Sequence, residues 1–162
     1  MLVDERVVPS HDEDSNSKLV HDYLLQNDAE GAVFWSYLDE DNIDDEDALQ
    51  QYANRRFAQP DLVVLGMGED GHTASIFPES PQFDTILSAP KGIMLVDPKT
   101  ANHMRLSLTL SAILNAQTIY VEIAGQYKNE VLHQAKEGKN PQYPISYVLD
   151  QSQTPVYVYT AS

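Results

Sequence analysis

Residues 61–72 read Asp61-Leu62-Val63-Val64-Leu65-Gly66-Met67-Gly68-Glu69-Asp70-Gly71-His72. The continuous apolar run Leu62–Leu65 is typical of a parallel strand that is buried on both faces. Three glycines within residues 66–71 allow the backbone to turn sharply and to approach a ligand closely. Because ligands of open α/β sheets bind beyond the carboxyl ends of the strands, we expect a binding site in the loop Gly66–His72.

On both sides of this strand, helical and strand patterns alternate along the chain. The apolar spacing predicts three helices: one that begins at Ser15, one with Ala48, Leu49, Tyr52, Ala53 and Phe57 at helical period, and one over Tyr127–Lys136. Further strand segments are predicted at Ile93–Val96, Met104–Leu110, Thr118–Ala124 and Val156–Thr160. This order indicates the α/β class, with a mostly parallel open sheet and flanking helices of Rossmann-like type. The 162 residues fit a single domain that spans residues 1–162.

The charge of the chain excludes several classes of partner. The sequence has 25 acidic against 10 basic residues, a formal charge of −15, and 15 of the acids lie in residues 1–50. Such a chain repels the phosphates of nucleic acid and of anionic lipid, so we expect neither as a partner. The absence of cysteine excludes disulfides and thiolate zinc sites. Without a long apolar segment or a secretory signal, we expect a cytoplasmic protein.

The pair Asp70 and His72 points to catalysis in the glycine-rich loop. A carboxylate beside an imidazole fixes the orientation of the ring and stabilises the charge that forms when the ring takes a proton. This arrangement suits a histidine that activates water. The remaining histidines lack such a setting and are interpreted as structural: His11, His21, His103 and His133.

A dinucleotide-binding loop is the alternative interpretation of the same glycines, because Gly66, Gly68 and Gly71 match the G-x-G-x-x-G spacing. Glu69 and Asp70 would then place two carboxylates against a pyrophosphate, and Pro78 interrupts the helix that the fingerprint requires. We therefore reject this interpretation.

Five segments of the chain resemble motifs of one enzyme family. Residues 66–78, Gly66-Met67-Gly68-Glu69-Asp70-Gly71-His72-Thr73-Ala74-Ser75-Ile76-Phe77-Pro78, closely resemble the signature of the 6-phosphogluconolactonase family. Further similar segments occur in the family's order: residues 4–9 with 14–16, 105–110, 125–128 and 144–146. The resemblance covers essentially the whole chain.

The resemblance implies the hydrolysis of 6-phosphoglucono-δ-lactone to 6-phosphogluconate in the oxidative pentose phosphate pathway, without a cofactor or a metal. It assigns His72 as the general base, Asp70 as the residue that orients it or only shapes the loop, and Asp4 as an auxiliary acid/base or substrate-orienting group. Glu5 is left between a functional and a structural role.

The same resemblance implies a small set of groups that bind the sugar phosphate. These are Arg6, Gly68, Gly71, Arg105 and Lys128. Phosphate requires cations or amide donors, and the three basic residues lie in or beside the family motifs. Each has a plainer alternative: Arg6 could pair with Asp4 or Glu5, and the other two could be ordinary surface cations.

Members of the family carry a further N-terminal portion before the Asp4-Glu5-Arg6 motif, with a first strand and a Ser-Gly-Gly-type turn that cradles phosphate. We therefore expect an N-terminally truncated form of the family fold. Its sheet would leave apolar surface uncovered, which favours lower stability or oligomerisation through that surface.

Two other functions remain open at this point. One is a deaminase-like isomerase acting on glucosamine 6-phosphate, whose pattern after the histidine is of Ala-Phe-Asn-Glu-Pro type. Residues 73–78 here read Thr-Ala-Ser-Ile-Phe-Pro and lack that glutamate, which favours the lactonase. The other is a non-catalytic module that binds sugar phosphates, because the N-terminal phosphate loop is absent.

Overall fold

The computed structural model describes residues 1–162, which form six strands and six α-helices. The strands are β1 (Asp4–Arg6), β2 (Leu62–Leu65), β3 (Ile93–Val96), β4 (Arg105–Leu108), β5 (Thr118–Ala124) and β6 (Val156–Ala161). The helices are α1 (Asn16–Tyr23), α2 (Glu46–Arg56), α3 (Phe83–Ser88), α4 (Leu110–Leu114), α5 (Gln126–Ala135) and α6 (Ser146–Leu149), with short 3₁₀ turns at Asn27–Ala29 and Glu40–Asn42.

The strands form two three-stranded sheets. One is parallel, in the order β2-β5-β6, and the helices pack beside it, which confirms the predicted α/β class. The other is antiparallel, in the order β1-β4-β3, and was not foreseen as a separate sheet. Side chains from both sheets and from the helices meet in one cluster of 26 buried residues.

Local signals place α1, α2 and α5 where the sequence predicts helices, whereas α3, α4 and α6 were not predicted. The Ser15 hydroxyl accepts a hydrogen bond from the Lys18 amide and caps α1, so the predicted start at Ser15 is confirmed. Helix α5 begins at Gln126, directly after Gly125, whose φ of +101° lies in a region that favours glycine.

Strand β2 differs from its prediction on one face. Val63 and Leu65 are each 1% exposed, but Leu62 and Val64 are more than half exposed. The expectation of burial on both faces is therefore wrong for this face. The reason is that no helix of this chain covers this face of the parallel sheet, on which Tyr157 and Tyr159 of β6 are also exposed.

The exposed side of β2 continues across the parallel sheet as an apolar surface. Tyr120 of β5 stacks on Tyr157 of β6 with ring centroids 5.5 Å apart, and Tyr157 and Tyr159 are more than half exposed. We call Leu62, Val64, Tyr120, Tyr157 and Tyr159 the open sheet face. The expectation of uncovered apolar surface is confirmed. None of the helices combines the length and the apolar character needed to cross a bilayer.

Candidate active site

The glycine-rich loop after β2 folds back on itself. The Gly68 amide donates to the His72 carbonyl at 2.9 Å, and the Gly71 amide donates to the Gly68 carbonyl at 3.1 Å. Gly71 has a φ of +78°, and a Cβ atom there would lie 2.9 Å from the Tyr143 Cα. Both constraints require glycine at this turn, which brings the side chains of residues 70 and 72 together.

Asp70 and His72 form a hydrogen-bonded pair in this loop. The two atoms His72 Nδ1 and Asp70 Oδ1 are 2.5 Å apart, and the His72 amide donates to the same oxygen at 3.1 Å. The His72 ring also stacks on Phe77 with centroids 4.2 Å apart. Because a carboxylate only accepts, Nδ1 carries the proton in the neutral ring and Nε2 keeps its lone pair. The pair thus presents an oriented proton acceptor.

The ionised form of Asp70 is stabilised by its partner. Partial burial works against ionisation, but the hydrogen bonds from the His72 side chain and amide outweigh it and hold the pKa of Asp70 below its ordinary value. Asp70 therefore remains a carboxylate, which is the form that keeps the proton of His72 on Nδ1.

Gly68 is the third part of the arrangement. A Cβ atom at this position would lie 2.2 Å from Nδ1 and Cε1 of His72 and 2.7 Å from Asp70 Oδ1. These distances are far inside van der Waals contact, so any side chain at position 68 would displace the pair. Gly68 is therefore explained by steric need, independently of any contact with substrate.

Asp4 reaches the same place from strand β1. Its Oδ2 atom accepts a hydrogen bond of 2.7 Å from the Ser75 hydroxyl, which lies three residues beyond His72. Burial raises the pKa of Asp4, and the Ser75 hydrogen bond and the positive charge of Arg105 oppose this shift only in part. Asp4 is thus a carboxyl group able to exchange a proton closer to neutral pH than an ordinary aspartate.

Replacing Asp4 by asparagine is expected to stabilise the protein at neutral pH. The raised pKa means that the folded state binds more protons than the unfolded state as the pH rises above the unfolded pKa, so ionised Asp4 is a stability cost at high pH. The amide oxygen of the asparagine would keep an acceptor for Ser75 without the charge. We expect Asp4→Asn to raise Tm by about 3 °C at pH 7.

Thermal denaturation of both proteins between pH 4 and pH 8 tests this expectation. The gain from Asp4→Asn should be small at the acid end, should grow as the pH rises from the unfolded pKa to the raised folded pKa of Asp4, and should stay constant above it. A variant that is less stable at every pH would contradict the assignment of a buried, destabilising charge.

Arg6 and Arg105 lie directly opposite each other in the β1–β4 pair. Arg105 is 8% exposed, and the Nε atoms of both residues are buried without a hydrogen-bond partner. Burial, followed by the positive charge of Arg6, lowers the pKa of Arg105. Neither guanidinium has a carboxylate within 4.0 Å, so Arg6 pairs with neither Asp4 nor Glu5. Two adjacent cations without an acidic partner form a site that attracts an anion.

One cavity of about 370 Å³ connects the predicted residues. It is lined by His72, Asp4, Arg6, Gly68 and Lys128, together with Val3, Asn16, Gly66, Met67, Thr73 and Ala74. Arg105, Asp70 and Gly71 do not line this cavity: Arg105 lies opposite Arg6 in the strand pair, and Asp70 lines a different cavity. The structure thus brings the His72 imidazole, the Asp4 carboxyl group and the two cations Arg6 and Lys128 together around one cavity.

A larger cavity of about 650 Å³ lies on the other side of the loop. Its walls carry four acidic side chains, Glu69, Asp70, Glu79 and Glu130, and no basic side chain. This negative lining is unsuited to a phosphate, so the smaller cavity is the better candidate for an anionic substrate.

Glu5, which the sequence leaves undecided, is buried and structural. It is 2% exposed, and its two oxygens accept hydrogen bonds from the Arg6, Asn16 and Ser17 amides and from the Ser17 hydroxyl, at distances between 2.5 and 2.8 Å. Glu5 thereby ties the start of α1 to β1. Ser75 and Asn16 were missed as site residues, although both lie within the motifs that resemble the family.

Comparisons with known proteins agree with this geometry. The family model for glucosamine-6-phosphate isomerases/6-phosphogluconolactonase matches residues 1–157. The chain is 44% identical over 165 residues to a 6-phosphogluconolactonase of Neisseria meningitidis, covering 99% of this chain and 71% of that protein. It is 42% identical over 161 residues to a 6-phosphogluconolactonase of Helicobacter pylori, covering 99% and 70%. A crystal structure of a 6-phosphogluconolactonase from Shewanella baltica is similar with a TM-score of 0.86 at 37% identity, over 99% of this chain and 70% of that one.

Proposed function

Because the chain belongs to the glucosamine-6-phosphate isomerase/6-phosphogluconolactonase family, we propose that it hydrolyses 6-phosphoglucono-δ-lactone to 6-phosphogluconate in the oxidative pentose phosphate pathway. The observation that supports this most directly is the single cavity that holds His72, Arg6 and Lys128. A lactonase for a phosphorylated sugar needs a proton acceptor at one end of its site and cations at the other.

The reaction begins with a water molecule between His72 and the lactone carbonyl. Nε2 of His72 takes a proton from this water while the oxygen forms a bond to the carbonyl carbon, which gives a tetrahedral intermediate. The bond between that carbon and the ring oxygen then breaks. The imidazolium returns its proton to the ring oxygen, which becomes a hydroxyl, and the carboxylic acid product ionises in water.

Asp70 and Asp4 support this chemistry in different ways. Asp70 holds Nδ1 of His72 and stabilises the imidazolium during the proton transfer. Asp4 lines the cavity as an auxiliary acid/base or as a group that orients the sugar. Gly68 allows the loop backbone to lie close to the substrate, and Gly68 and Gly71 together keep the Asp70–His72 pair in place.

Arg6, Arg105 and Lys128 provide the charge that binds the phosphate. Lys128 extends from the first turn of α5 into the cavity, and the two arginines lie at the β1–β4 edge. The net charge of −15 does not prevent this, because the nearest groups determine the field inside a cleft.

The test of the function is the rate of lactone hydrolysis above the spontaneous rate. Purified protein should form 6-phosphogluconate from the phosphorylated lactone and should release no ammonia from glucosamine 6-phosphate. Ammonia release with an untouched lactone would support the deaminase-like alternative. Binding of 6-phosphogluconate without any lactone hydrolysis would support the non-catalytic alternative.

Replacing Arg105 by methionine is expected to weaken binding of the phosphate without loss of stability. Methionine fills a similar volume and removes one of two mutually repelling charges. Arg105 does not line the cavity, so its charge acts beside Arg6 through the local field, and its loss should raise KM for the phosphorylated lactone by about 10-fold.

Unphosphorylated glucono-δ-lactone is the matched control substrate for Arg105→Met. Its kcat/KM should stay unchanged, because it carries no phosphate. Equal losses for both substrates would remove Arg105 from the phosphate site.

We further propose that residues 1–162 form one domain, that the protein acts in the cytoplasm, and that its small-molecule partner is the sugar-phosphate lactone. We also propose that two copies of the chain associate through the open sheet face. The exposed Leu62, Val64 and tyrosine rings support association. Sedimentation velocity at several protein concentrations would detect it, and a monomer at all concentrations would contradict it.

A further inference from the structure

His103 and Asp14 join two loops beside the arginine pair. The two atoms His103 Nε2 and Asp14 Oδ2 are 2.9 Å apart. The main-chain carbonyl of Asp14 accepts a hydrogen bond of 2.6 Å from Arg6 Nη1. Asp14 therefore contacts His103 through its side chain and Arg6 through its backbone, and this chain of contacts connects His103 to the cavity.

The position of this contact in the fold is specific. Asp14 lies in the segment between β1 and α1, and Glu5 holds the far end of that segment through Asn16 and Ser17. His103 lies in the loop between β3 and β4, two residues before Arg105. The contact thus joins the segment that follows β1 to the loop that precedes β4, next to the ends of the two strands at which Arg6 and Arg105 pair.

Stability alone does not account for the contact. The side chains of His103 and Asp14 are 33% and 58% exposed, and exposed pairs of this kind contribute about 0–1 kcal/mol. His103 also has a φ of +67°, a conformation that is uncommon for residues other than glycine and that carries an energetic cost. Because His103 is strained and its contact with Asp14 adds little stability, we expect its effect in the position of the groups that this contact holds.

We propose that His103 is a positioning residue for Arg6: by holding the Asp14 carboxylate, it fixes the Asp14 carbonyl that directs the Arg6 guanidinium toward the cavity. A free arginine side chain loses considerable rotamer freedom when it binds an anion, and a guanidinium already held by a carbonyl loses less. The inference rests on the proposed function, because Arg6 is taken there as a ligand of the substrate phosphate.

Three variants test this role: His103→Gly, Asp14→Ala and the double variant. Glycine adopts a positive φ without strain, and alanine keeps the carbonyl at position 14, so both changes remove the contact while preserving the backbone. Each single variant should raise KM for the phosphorylated lactone by about 3- to 10-fold with an unchanged kcat. The double variant should show no more than the larger single effect, because both changes break one contact.

Two controls separate positioning from general damage. Unphosphorylated glucono-δ-lactone should be hydrolysed with unchanged kcat/KM by all three variants. His133→Ala, at an exposed position on α5, should leave both substrates unaffected. An unchanged KM in His103→Gly, additive effects in the double variant, or equal losses for both lactones would each overturn the proposal.

A different result would refute the proposed function rather than the positioning role of His103. If the wild-type protein hydrolyses no lactone, the function is refuted, and calorimetric binding of 6-phosphogluconate then tests the positioning role. Binding that weakens in His103→Gly and Asp14→Ala, but not in His133→Ala, would support it. Equal binding by all four proteins would overturn it.

Discussion

His72→Ala should hydrolyse 6-phosphoglucono-δ-lactone with a kcat about 10²- to 10⁴-fold below that of the wild-type protein, the range over which a positioned general base accelerates a reaction. Alanine removes the Nε2 atom that takes the proton of water, while the Gly68–His72 backbone hydrogen bond and the arginine pair remain. KM should therefore change little. Initial rates of proton release, corrected for spontaneous hydrolysis, measure both constants.

His133→Ala is the matched control for this variant, since it removes an exposed imidazole of α5 that lies outside the cavity. It should retain full activity. Circular dichroism and Tm should show that His72→Ala is folded. A folded His72→Ala protein with wild-type kcat would remove His72 from the mechanism and leave Asp4 as the remaining candidate base in the cavity.

The hydrogen-bonded pair of Asp70 and His72 could be predicted from the sequence because its members are two residues apart. Only the local loop has to fold correctly for Asp70 to reach His72, and the glycines at positions 68 and 71 reveal that loop. The juxtaposition of Arg6 and Arg105 is different. It depends on the register of an antiparallel pair between strands 99 residues apart in the chain, which no local pattern reports. Their grouping came from a family resemblance, and the register supplies its physical reason.

Strand β2 shows the corresponding limit for the fold. Its apolar run predicted a parallel strand, because strands of parallel sheets are typically continuously apolar, and the parallel pairing of β2 with β5 confirms it. Whether a face of the strand is covered depends on which element packs against it. Leu62 and Val64 are the same residue types as Leu65 and Val63, yet they are exposed while Leu65 and Val63 are buried. The contact between His103 and Asp14, 89 residues apart, carried no signal in the sequence for the same reason.

Glu5→Ala should destabilise the fold more than any other substitution considered, by about 3–5 kcal/mol, a large fraction of the stability of a typical domain. The change leaves the partly buried Arg6 and Asn16 amides and the buried Ser17 amide without their acceptor, and it removes the contacts that hold the start of α1 against β1. Urea denaturation measures the loss as a lower midpoint. Glu137→Ala, at an exposed position whose side chain makes no hydrogen bond, should shift the free energy of unfolding by less than about 0.5 kcal/mol.

The comparison of Glu5→Ala with Glu5→Gln separates the structural role of this residue from a catalytic one. Glutamine keeps one acceptor oxygen but turns an NH₂ group toward donors that need an acceptor, so its loss of stability should be intermediate. If Glu5 acts only by holding the chain, kcat measured well below Tm should fall in step with the folded fraction, and osmolytes that restore folding should restore activity. A stable Glu5→Gln protein with a kcat reduced as far as that of His72→Ala would instead place Glu5 in the chemistry, because no loss of packing would then explain the lost rate.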